Sequence, residues 1–426
     1  MSQKDCLVEN NNRTSSKGMC NPSGMNERVA VVGGGGYVGW HIVQRLLRNG
    51  HPVAIIDLGM MPEARKFVES RGAALPPITF FRVDIREKEE LAQSFKIYRP
   101  QIVFHVASYG MSGREMLNKR LIEEVNIDGV KNSLAACADS NVERLVYTSS
   151  YNTCYGGQQI LDGNEENTKF LPIYKHPDHY ALTKSISEQL VLAANRKLSL
   201  DGKTILRTCS LRLPGIYGPG EQRHLPRIVK YLEKGWVCFR YGEGIVDFVH
   251  IDNVVEAHVL AGYALGPEKE HIAAGQAYFI NDGKPINNFE FFRPLMEGLG
   301  HPFPKRQLPF NFILFIAVIL ENLYCLDFVT RYNLDRYFPL LTRTEVYKTG
   351  VTHYFSIGKA TKELGYIPRD PPNDLSEVVR LFKAAGHARS LPPVINRSLV
   401  DHILSRFVFL LVALVCFLGL WGRLVF

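Results

Sequence analysis

The chain has 426 residues, of which 46% are hydrophobic and 22% are charged, and its formal net charge is +8. These values exclude a wholly disordered protein and leave room for one large or two medium domains. The excess of basic residues is small and forms no concentrated run, so we expect no nucleic-acid partner. The eight cysteines form no C-x-x-C pair, a pattern typical of reduced, buried thiols, and we expect neither a disulfide framework nor a metal site.

The first predicted elements are a polar arm and a run of strands that alternate with helices. Residues 1–27 lack the apolar core of a signal peptide and predict a disordered arm. The apolar strands that follow, up to residue 210, alternate with segments of helical spacing: RVAVVG, HPVAIID, ITFFRVDI, QIVFHVAS and RLVYTSS. This alternation predicts an α/β fold over 28–210, a doubly wound parallel sheet of Rossmann type.

The turn after the first predicted strand reads VVGGGGYVGW, with four consecutive glycines. Two spacings fit it: G-x-G-x-x-G from Gly34, Gly36 and Gly39, or G-x-x-G-x-x-G from Gly33, Gly36 and Gly39. Either spacing lets the backbone turn tightly and approach a pyrophosphate at a helix N-terminus. Asp57 ends the next strand, where a carboxylate accepts hydrogen bonds from an adenosine ribose and favours NAD over NADP.

A second group of polar residues follows the strand RLVYTSS. Tyr180 and Lys184 are four residues apart and therefore lie on one face of a predicted helix. An ammonium group beside a phenol lowers the phenol pKa, so that a tyrosinate can accept a proton from a substrate hydroxyl. Ser149 and Ser150 end the preceding strand at the sheet edge where such folds bind ligands, and a serine there can hold the substrate oxygen.

Beyond residue 210 the alternation loosens, and glycine and proline become more frequent. We expect a smaller substrate-binding lobe over 211–390. Within it, 308–326 is strongly apolar, but its uncharged part is too short for a membrane span. A core helix and a helix lying in the membrane interface both fit this segment.

The end of the sequence predicts a linker over 391–403 and a transmembrane helix over 404–426. Residues 407–422 carry no charge and show no polar face, which favours a membrane anchor over a buried core helix. Arg397 and Arg406 precede this segment and only Arg423 follows it, so the main body is expected on the cytoplasmic side. The expected location is the endoplasmic reticulum membrane, with a single-pass anchor and a cytosolic catalytic domain.

In this order the motifs resemble those of the extended short-chain dehydrogenase/reductases. The glycine turn is similar to that family's T-G-x-x-G-x-x-G, which selects Gly33, Gly36 and Gly39 and has Val32 in place of the threonine. Further matching segments are Val83-Asp84-Ile85, 104–108, Val125-Asn126, Leu211-Arg212, Tyr217-Gly218-Pro219 and 248–254.

This resemblance implies roles for particular residues. The catalytic set is Ser150, Tyr180 and Lys184, with Ser149 as a second candidate for the serine and Asn126 supporting the helix that carries a proton-relay water. The implied cofactor is NAD, and the residues expected to bind it are Gly33, Gly36, Gly39, Tyr37, Val38, Asp57, Asp84, Ile85, Ala107, Ser108, Tyr180 and Lys184.

Within that family the sequence is most similar to the 3β-hydroxysteroid dehydrogenase/isomerase branch and, inside it, to the subgroup called family 42E. The segments SISEQLVLAAN, LRTCSLRLPGIYGPGEQRHLPRIV and LTRTEVYKTGVTHYF carry this similarity. It implies NAD-linked oxidation of a hydroxyl, 3β-hydroxy in that branch, on a steroid or sterol-like substrate. Some members couple this oxidation to double-bond isomerisation, although no isomerase-specific residue is matched here. The resemblance also implies a homodimer.

Two alternatives stay open. A nucleotide-sugar epimerase, dehydratase or reductase shares the fold and the catalytic set, and a non-catalytic NAD-binding membrane protein shares the cofactor site. The two apolar segments favour a lipid substrate, since an enzyme of soluble nucleotide sugars has no use for a membrane.

Overall fold

The computed structural model describes residues 27–389 apart from 71, 73–74 and 325–340. The predicted arm, except residue 27, lies outside the described residues, as do the linker, the transmembrane helix over 404–426 and the last two residues of 308–326. Within the described part of the chain, no helix is both long and apolar enough to cross a membrane.

The strands are, in chain order, β1 (Val29–Val32), β2 (Val53–Asp57), β3 (Ile78–Arg82), β4 (Ile102–His105), β5 (Arg144–Ser150), β6 (Ile160–Gly163), β7 (Lys197–Leu198), β8 (Ile205–Leu213), β9 (Gly215–Tyr217), β10 (Arg240–Tyr241), β11 (Ile245–Val246), β12 (Phe248–His250), β13 (Ala277–Phe279), β14 (Ile286–Asn287), β15 (Gln307–Leu308) and β16 (His353–Phe355).

The helices are α1 (Tyr37–Arg48), α2 (Pro62–Ser70), α3 (Lys88–Tyr98), α4 (Lys119–Glu123), α5 (Gly129–Asp139), α6 (His179–Ala193), α7 (His224–Glu233), α8 (Ile251–Ala264), α9 (Asn288–Gly298), α10 (Phe310–Tyr324), α11 (Arg343–Gly350), α12 (Gly358–Leu364) and α13 (Ser376–Ala384). A π-helical turn, Glu124–Asp128, joins α4 to α5.

The predicted Rossmann-type sheet is confirmed. Its parallel strands pair in the order β3-β2-β1-β4-β5-β8-β13, and β7 pairs antiparallel with β8. The fully buried run VAVV of β1 explains its central place, because a parallel strand covered on both faces needs apolar side chains throughout. The chain leaves β1 towards β2 on one side and β4 lies on the other, and such a switch point opens a crevice at the carboxyl ends of the strands.

Helices cover both faces of the sheet, as the alternation predicted. One face packs against α1, α8 and α12, with Trp40, Val254 and Leu364 buried in the same apolar cluster. The other face packs against α3, α5 and α6, where Phe95 and Val191 are buried.

The C-terminal lobe starts later, and is less separate, than the predicted boundary at residue 210. Strand β8 runs on to Leu213, and β13 adds to the sheet edge beside β8. Helix α8 packs on α1 against the sheet. The chain therefore returns to the sheet after building part of the lobe, a long-range pairing that strand and helix periodicity do not reveal. The core of the lobe itself lies between α7, α9 and α13.

Helix α10, in the apolar segment 308–326, has two different faces. Ile313, Ile316 and Leu320 are buried against Tyr241 and neighbouring side chains of the lobe. Phe312 and Phe315, by contrast, are 43% and 57% exposed. The helix is thus a core helix on one side and carries an exposed aromatic surface on the other.

The glycine turn between β1 and α1 is fixed mainly by contacts inside the protein. A Cβ atom on Gly33, whose φ is +87°, would lie 2.5 Å from the backbone nitrogen of Ala107, and one on Gly35 would lie 1.8 Å from the carbonyl oxygen of Gly59. On Gly36, however, the nearest of these atoms would be 3.6 Å away, an ordinary contact. Gly35, which neither predicted spacing uses, is therefore sterically required, whereas Gly36 leaves open space.

We predict that Gly35→Ala and Gly36→Ala differ in stability. The added methyl of Gly35→Ala meets a backbone carbonyl that cannot move freely, so the free energy of unfolding should fall by about 1–3 kcal/mol or more. Gly36→Ala should change it by less than about 1 kcal/mol, because the backbone there suits alanine. Urea unfolding measures both values, and equal losses in the two variants would contradict this account of the turn.

Candidate active site

A cavity of about 690 Å³ lies at the carboxyl edge of the sheet, between the glycine turn and α6. It brings together residues from widely separated parts of the chain. Apart from Asn126, every predicted site residue lines it, namely Gly33, Gly36, Tyr37, Val38, Gly39, Asp57, Asp84, Ile85, Ala107, Ser108, Ser149, Ser150, Tyr180 and Lys184.

The first turn of α1 forms one end of the cavity. Gly36 is the N-cap of this helix and carries no side chain that would cap it. The first backbone N–H groups of a helix have no partner inside it, and they carry the positive end of the helix dipole. The open space at Gly36 therefore gives an anionic group access to these donors.

Asp57 stands beside this turn at the end of β2. Its Oδ2 accepts a hydrogen bond of 3.0 Å from the backbone N–H of Gly35, and the N–H of Gly59 lies 3.5 Å from Oδ1. Burial raises the pKa of the carboxyl group, while these backbone hydrogen bonds favour its charged form. The carboxylate is thus held in the cavity wall by the turn itself.

Two other predicted cofactor residues already have partners in the protein. The Tyr37 hydroxyl donates to the carbonyl oxygen of Pro219 at 3.1 Å and so links the glycine turn to the C-terminal lobe. Arg86 donates to Asp84 and forms a 2.9 Å ion pair with Glu124, and the hydrogen bond from Arg86 holds the pKa of Asp84 below its usual range. Arg86 also lines the cavity, although no sequence motif pointed to it.

Tyr180 lies in the first turn of α6, which Asp178 caps by accepting a 2.6 Å hydrogen bond from the N–H of Ala181. Burial raises the pKa of the Tyr180 phenol to about 12, while a hydrogen bond with Ser108 and the nearby charge of Arg223 act to lower it. Ser108 thus contacts the phenol as well as lining the cavity.

The Lys184 side chain is buried one turn further along α6. Its ammonium donates to the carbonyl oxygen of Thr148 and lies 4.2 Å from the centre of the Tyr147 ring. Burial lowers the pKa of Lys184 to about 7, although the charge of Glu188 opposes this shift. In this geometry the ammonium is bound to strand β5, so its predicted effect on the Tyr180 pKa stays a prediction.

The two serines at the end of β5 have different surroundings. The Ser149 hydroxyl donates to Glu188 at 2.6 Å, and Glu188 also accepts a 2.8 Å hydrogen bond from Arg212. The Ser150 hydroxyl has weaker partners, with the Leu213 carbonyl oxygen at 3.4 Å and the Asn152 N–H at 3.3 Å. Because the Ser149 proton is committed, the geometry favours Ser150 as the serine that contacts a ligand.

Asn126 lies in the π-helical turn, behind the cavity wall. Its Oδ1 accepts a 2.8 Å hydrogen bond from the Tyr109 N–H, and its Nδ2 donates to the Thr183 hydroxyl at 2.9 Å. Its backbone carbonyl accepts from the Ser187 hydroxyl at 2.6 Å. Asn126 therefore ties the Tyr109 loop to α6 as a positioning residue, and its predicted support of a proton-relay water stays a prediction.

The C-terminal lobe supplies cavity residues that sequence reasoning treated as a surface loop. Arg223 lines the cavity and forms a 3.1 Å ion pair with Glu115, on the opposite side. Glu221 accepts backbone hydrogen bonds from Arg223, at 2.7 Å, and from Leu225, at 2.7 Å, and so caps the start of α7. Glu221 is an acidic residue a few positions before α7, and this was the signal available in the sequence.

Comparison with known proteins places this site in a family. The model of the 3-beta hydroxysteroid dehydrogenase/isomerase family matches residues 30–310. The human short-chain dehydrogenase/reductase family 42E member 1 is 50% identical over 370 residues, which cover 85% of this chain and 89% of the human one. The Danio rerio protein of that name is 48% identical over 389 residues, or 91% of this chain and 96% of its own. The Arabidopsis thaliana 3beta-hydroxysteroid-dehydrogenase/decarboxylase isoform 1 is 34% identical over 355 residues, 81% of this chain and 77% of its own.

Solved structures share the fold. The Thermus thermophilus UDP-glucose 4-epimerase, in complex with NAD, is 24% identical with a TM-score of 0.60 and covers 84% of this chain and 99% of its own. The Streptomyces venezuelae dTDP-glucose 4,6-dehydratase is 22% identical with a TM-score of 0.62. It covers 84% of this chain and 97% of its own. The predicted family is confirmed: the chain belongs to the 3-beta hydroxysteroid dehydrogenase/isomerase family of extended short-chain dehydrogenase/reductases.

Proposed function

We propose that the protein is an NAD-dependent oxidoreductase that oxidises a hydroxyl group, in the 3β position, on a steroid or sterol-like substrate. The observation that carries this proposal is the meeting of Ser150, Tyr180 and Lys184 with the glycine turn around one cavity. Membership of the 3-beta hydroxysteroid dehydrogenase/isomerase family supports the substrate class.

The described residues fit NAD. A dinucleotide needs a helix N-terminus free of side chains for its pyrophosphate, and the open space at Gly36 provides one. Asp57, held in the wall, is placed to accept hydrogen bonds from the adenosine ribose, and Lys184 lies at the opposite end, where the nicotinamide ribose is expected. When bound, NAD accepts a hydride from the carbon that carries the substrate hydroxyl. Several of the solved structures that share this fold are NAD complexes.

The chain's own residues handle the proton. The Ser150 hydroxyl and the Tyr180 phenol hold the substrate oxygen between them, and Tyr180, as tyrosinate, accepts its proton. A phenol with a pKa of about 12 is mostly protonated at neutral pH, so cationic neighbours must favour the tyrosinate during turnover. Arg223 supplies such a charge, and Lys184, with a pKa of about 7, is placed one helical turn away to supply another or to pass on a proton.

Nucleotide-sugar chemistry remains the alternative, because the solved structures with this fold include an epimerase and a dehydratase of nucleotide sugars. The cavity wall contains many apolar side chains, which favours a hydrophobic substrate: Met60, Met61, Met111, Leu121, Leu213, Pro214 and Ile216. A non-catalytic NAD-binding protein would have no need for the Ser150, Tyr180 and Lys184 set.

We further propose that the protein works at a membrane. The exposed face of α10 supports this location, since Phe312 and Phe315 lie three residues apart and so share one side of the helix. Lys305 and Arg306, both exposed, precede this helix and would meet anionic lipid headgroups. The anchor predicted over 404–426 is part of the same proposal.

We expect the full-length protein in detergent to reduce NAD with a panel of 3β-hydroxysterols and not with UDP-sugars. Tyr180→Phe should lower kcat by about 10²–10⁴-fold, because it removes the proton acceptor while keeping the ring. The absorbance of NADH measures both results.

Tyr174→Phe is the matched control, since Tyr174 is 84% exposed and lies outside the cavity. Turnover of UDP-sugars alone would favour the alternative function, and a fully active Tyr180→Phe enzyme would remove Tyr180 from the mechanism.

Asp57→Asn should shift the cofactor preference. The amide can still accept the Gly35 hydrogen bond, so the turn should stay folded, but the negative charge that repels the 2′-phosphate of NADP is lost. We expect the ratio of kcat/KM for NAD to that for NADP to fall by at least about tenfold, since juxtaposed like charges cost several kcal/mol. Steady-state kinetics with both cofactors tests this, and an unchanged ratio would argue against the ribose role.

Phe315→Trp should report on the membrane. In full-length protein reconstituted into vesicles, its fluorescence, after subtraction of the wild-type signal, should shift to shorter wavelength and be quenched by brominated lipids. Ile97→Trp is the control, because Ile97 is 63% exposed on α3, in the other lobe. Equal quenching of both tryptophans, or of neither, would contradict an α10 contact with lipid.

A further inference from the structure

A second cavity of about 130 Å³, called here the inner cavity, adjoins the main one. Ile216 and His224 line both, so the inner cavity continues the main cavity into the C-terminal lobe. It contains none of the residues that face the proposed cofactor position. It is therefore placed to hold the part of a substrate remote from the oxidised hydroxyl.

The inner cavity combines an apolar wall with a few polar groups. The apolar side chains are Ile228, Val246, Phe248, Phe291 and Phe292, and the rings of Phe248 and Phe291 stack at 3.5 Å. The side chains with a carboxyl, cationic or imidazole group are Asp247, Arg227, Lys348, Glu345 and His224. A pocket of this kind binds the body of a ligand by apolar contact and orients it through its polar groups.

Asp247 is a buried acidic side chain in this wall. Its side chain is buried, and its Oδ2 accepts hydrogen bonds from the Phe355 N–H at 2.7 Å and from Asn281 at 3.2 Å. Burial, with nearby Asp282 and Asp162, raises the pKa of Asp247 to about 8, so the group is largely protonated at neutral pH. Both donors use Oδ2, so a proton bound to this carboxyl group would lie on Oδ1, where it could be donated to a ligand.

Arg227 has a hydrogen-bond donor that no described residue accepts. Its Nη2 forms a 3.2 Å ion pair with Glu345, but its Nη1 is buried and has no hydrogen-bond partner among the described residues. An unpaired buried N–H of a charged group is costly and is usually satisfied by a ligand or water. The Glu345 charge balances that of Arg227, and Lys348 is the other lysine or arginine of this wall.

We propose that the inner cavity binds a hydrogen-bond-accepting oxygen, a carbonyl or a carboxylate, at the end of the substrate remote from the oxidised hydroxyl. This inference rests on the proposed function and adds a second recognition point to its substrate. Arg227 and Asp247 are the residues that select for this oxygen. A substrate with a bare hydrocarbon end leaves their donors unpaired and is disfavoured.

The test compares three sterols with the same ring system and 3β-hydroxyl, whose remote ends carry a carboxylate, a ketone or only hydrogen. With the full-length enzyme and NAD, kcat/KM should be at least about tenfold higher for one or both oxygenated sterols than for the hydrocarbon. The better of the two oxygenated sterols identifies which kind of oxygen is selected.

The double variant Arg227→Gln/Glu345→Gln removes both charges and leaves no unpaired buried ion. It should bring the ratio of kcat/KM for the better oxygenated sterol to that for the hydrocarbon sterol close to one. Asp247→Asn, which keeps an N–H donor at this position, should retain most of the preference. The control Arg293→Gln/Glu290→Gln breaks a 3.0 Å ion pair outside both cavities and should leave this ratio unchanged.

The outcomes separate this inference from the proposed function. Oxidation of all three sterols at equal rates, or a preference that survives the Arg227→Gln/Glu345→Gln variant, would overturn the inference and leave the function standing. If no sterol is oxidised, equilibrium dialysis with analogues that lack the 3β-hydroxyl still tests whether the inner cavity selects a remote oxygen. Oxygenated analogues should then bind at least about tenfold more tightly than the hydrocarbon, and only to protein with Arg227 and Glu345 intact; equal binding overturns it.

Discussion

The buried ion pair between Glu188 and Arg212 is the interaction on which the catalytic side of the molecule depends. The two side chains are 0% and 5% exposed, and Glu188 also accepts the hydrogen bond from Ser149. The pair joins α6 to β5 and β8 at the ends of both strands. Its net contribution to stability is small, because the burial of both charges is costly, but loss of one partner costs about 3–5 kcal/mol. Glu188 lies one turn after Lys184, so the pair also fixes the height of the catalytic helix above the sheet edge.

Burial at this sheet edge shifts the pKa values of Tyr180 and Lys184, the two residues proposed to handle the proton. It raises the pKa of Tyr180 to about 12 and lowers that of Lys184 to about 7, which favours the neutral form of each. Burial therefore disfavours the formation of a tyrosinate or an ammonium alone. It strengthens the attraction between the two charges if both form together. Arg223, brought in from the C-terminal lobe, is the cation that already acts on the phenol. The pKa of Tyr180 thus depends in part on where this lobe holds Arg223.

Sequence patterns predicted the features that depend on residues close together in the chain. The other features depend on contacts between distant parts of the chain. The alternation of apolar strands and helices predicted the parallel sheet, and the rule that ligands bind at carboxyl strand ends placed Asp57, Ser150 and Tyr180 at one cavity. The need for glycine at position 35 was not predictable, because the atom that excludes a side chain belongs to Gly59 after the next strand. The choice between Ser149 and Ser150 likewise depends on Glu188, which is distant in the sequence. Asn126 matched a motif by sequence, but only its contacts with Tyr109 and Thr183 show that it lies behind the wall.

The contacts that fix side chains differ between the Rossmann-type sheet with its helices and the C-terminal lobe. The glycine turn and the Glu188 network fix backbone and side chains at the sheet edge, where the proposed cofactor and the reacting hydroxyl meet. The walls of the inner cavity come instead from short strands and from α7, α9 and α11 of the second lobe. A 3.1 Å hydrogen bond from Tyr37 to Pro219 links this lobe to the glycine turn. Side chains of the inner cavity can change without disturbing the turn or the network. Under the proposed function, this division assigns the oxidation to the rigid edge and the choice of substrate to the wall that the second lobe supplies.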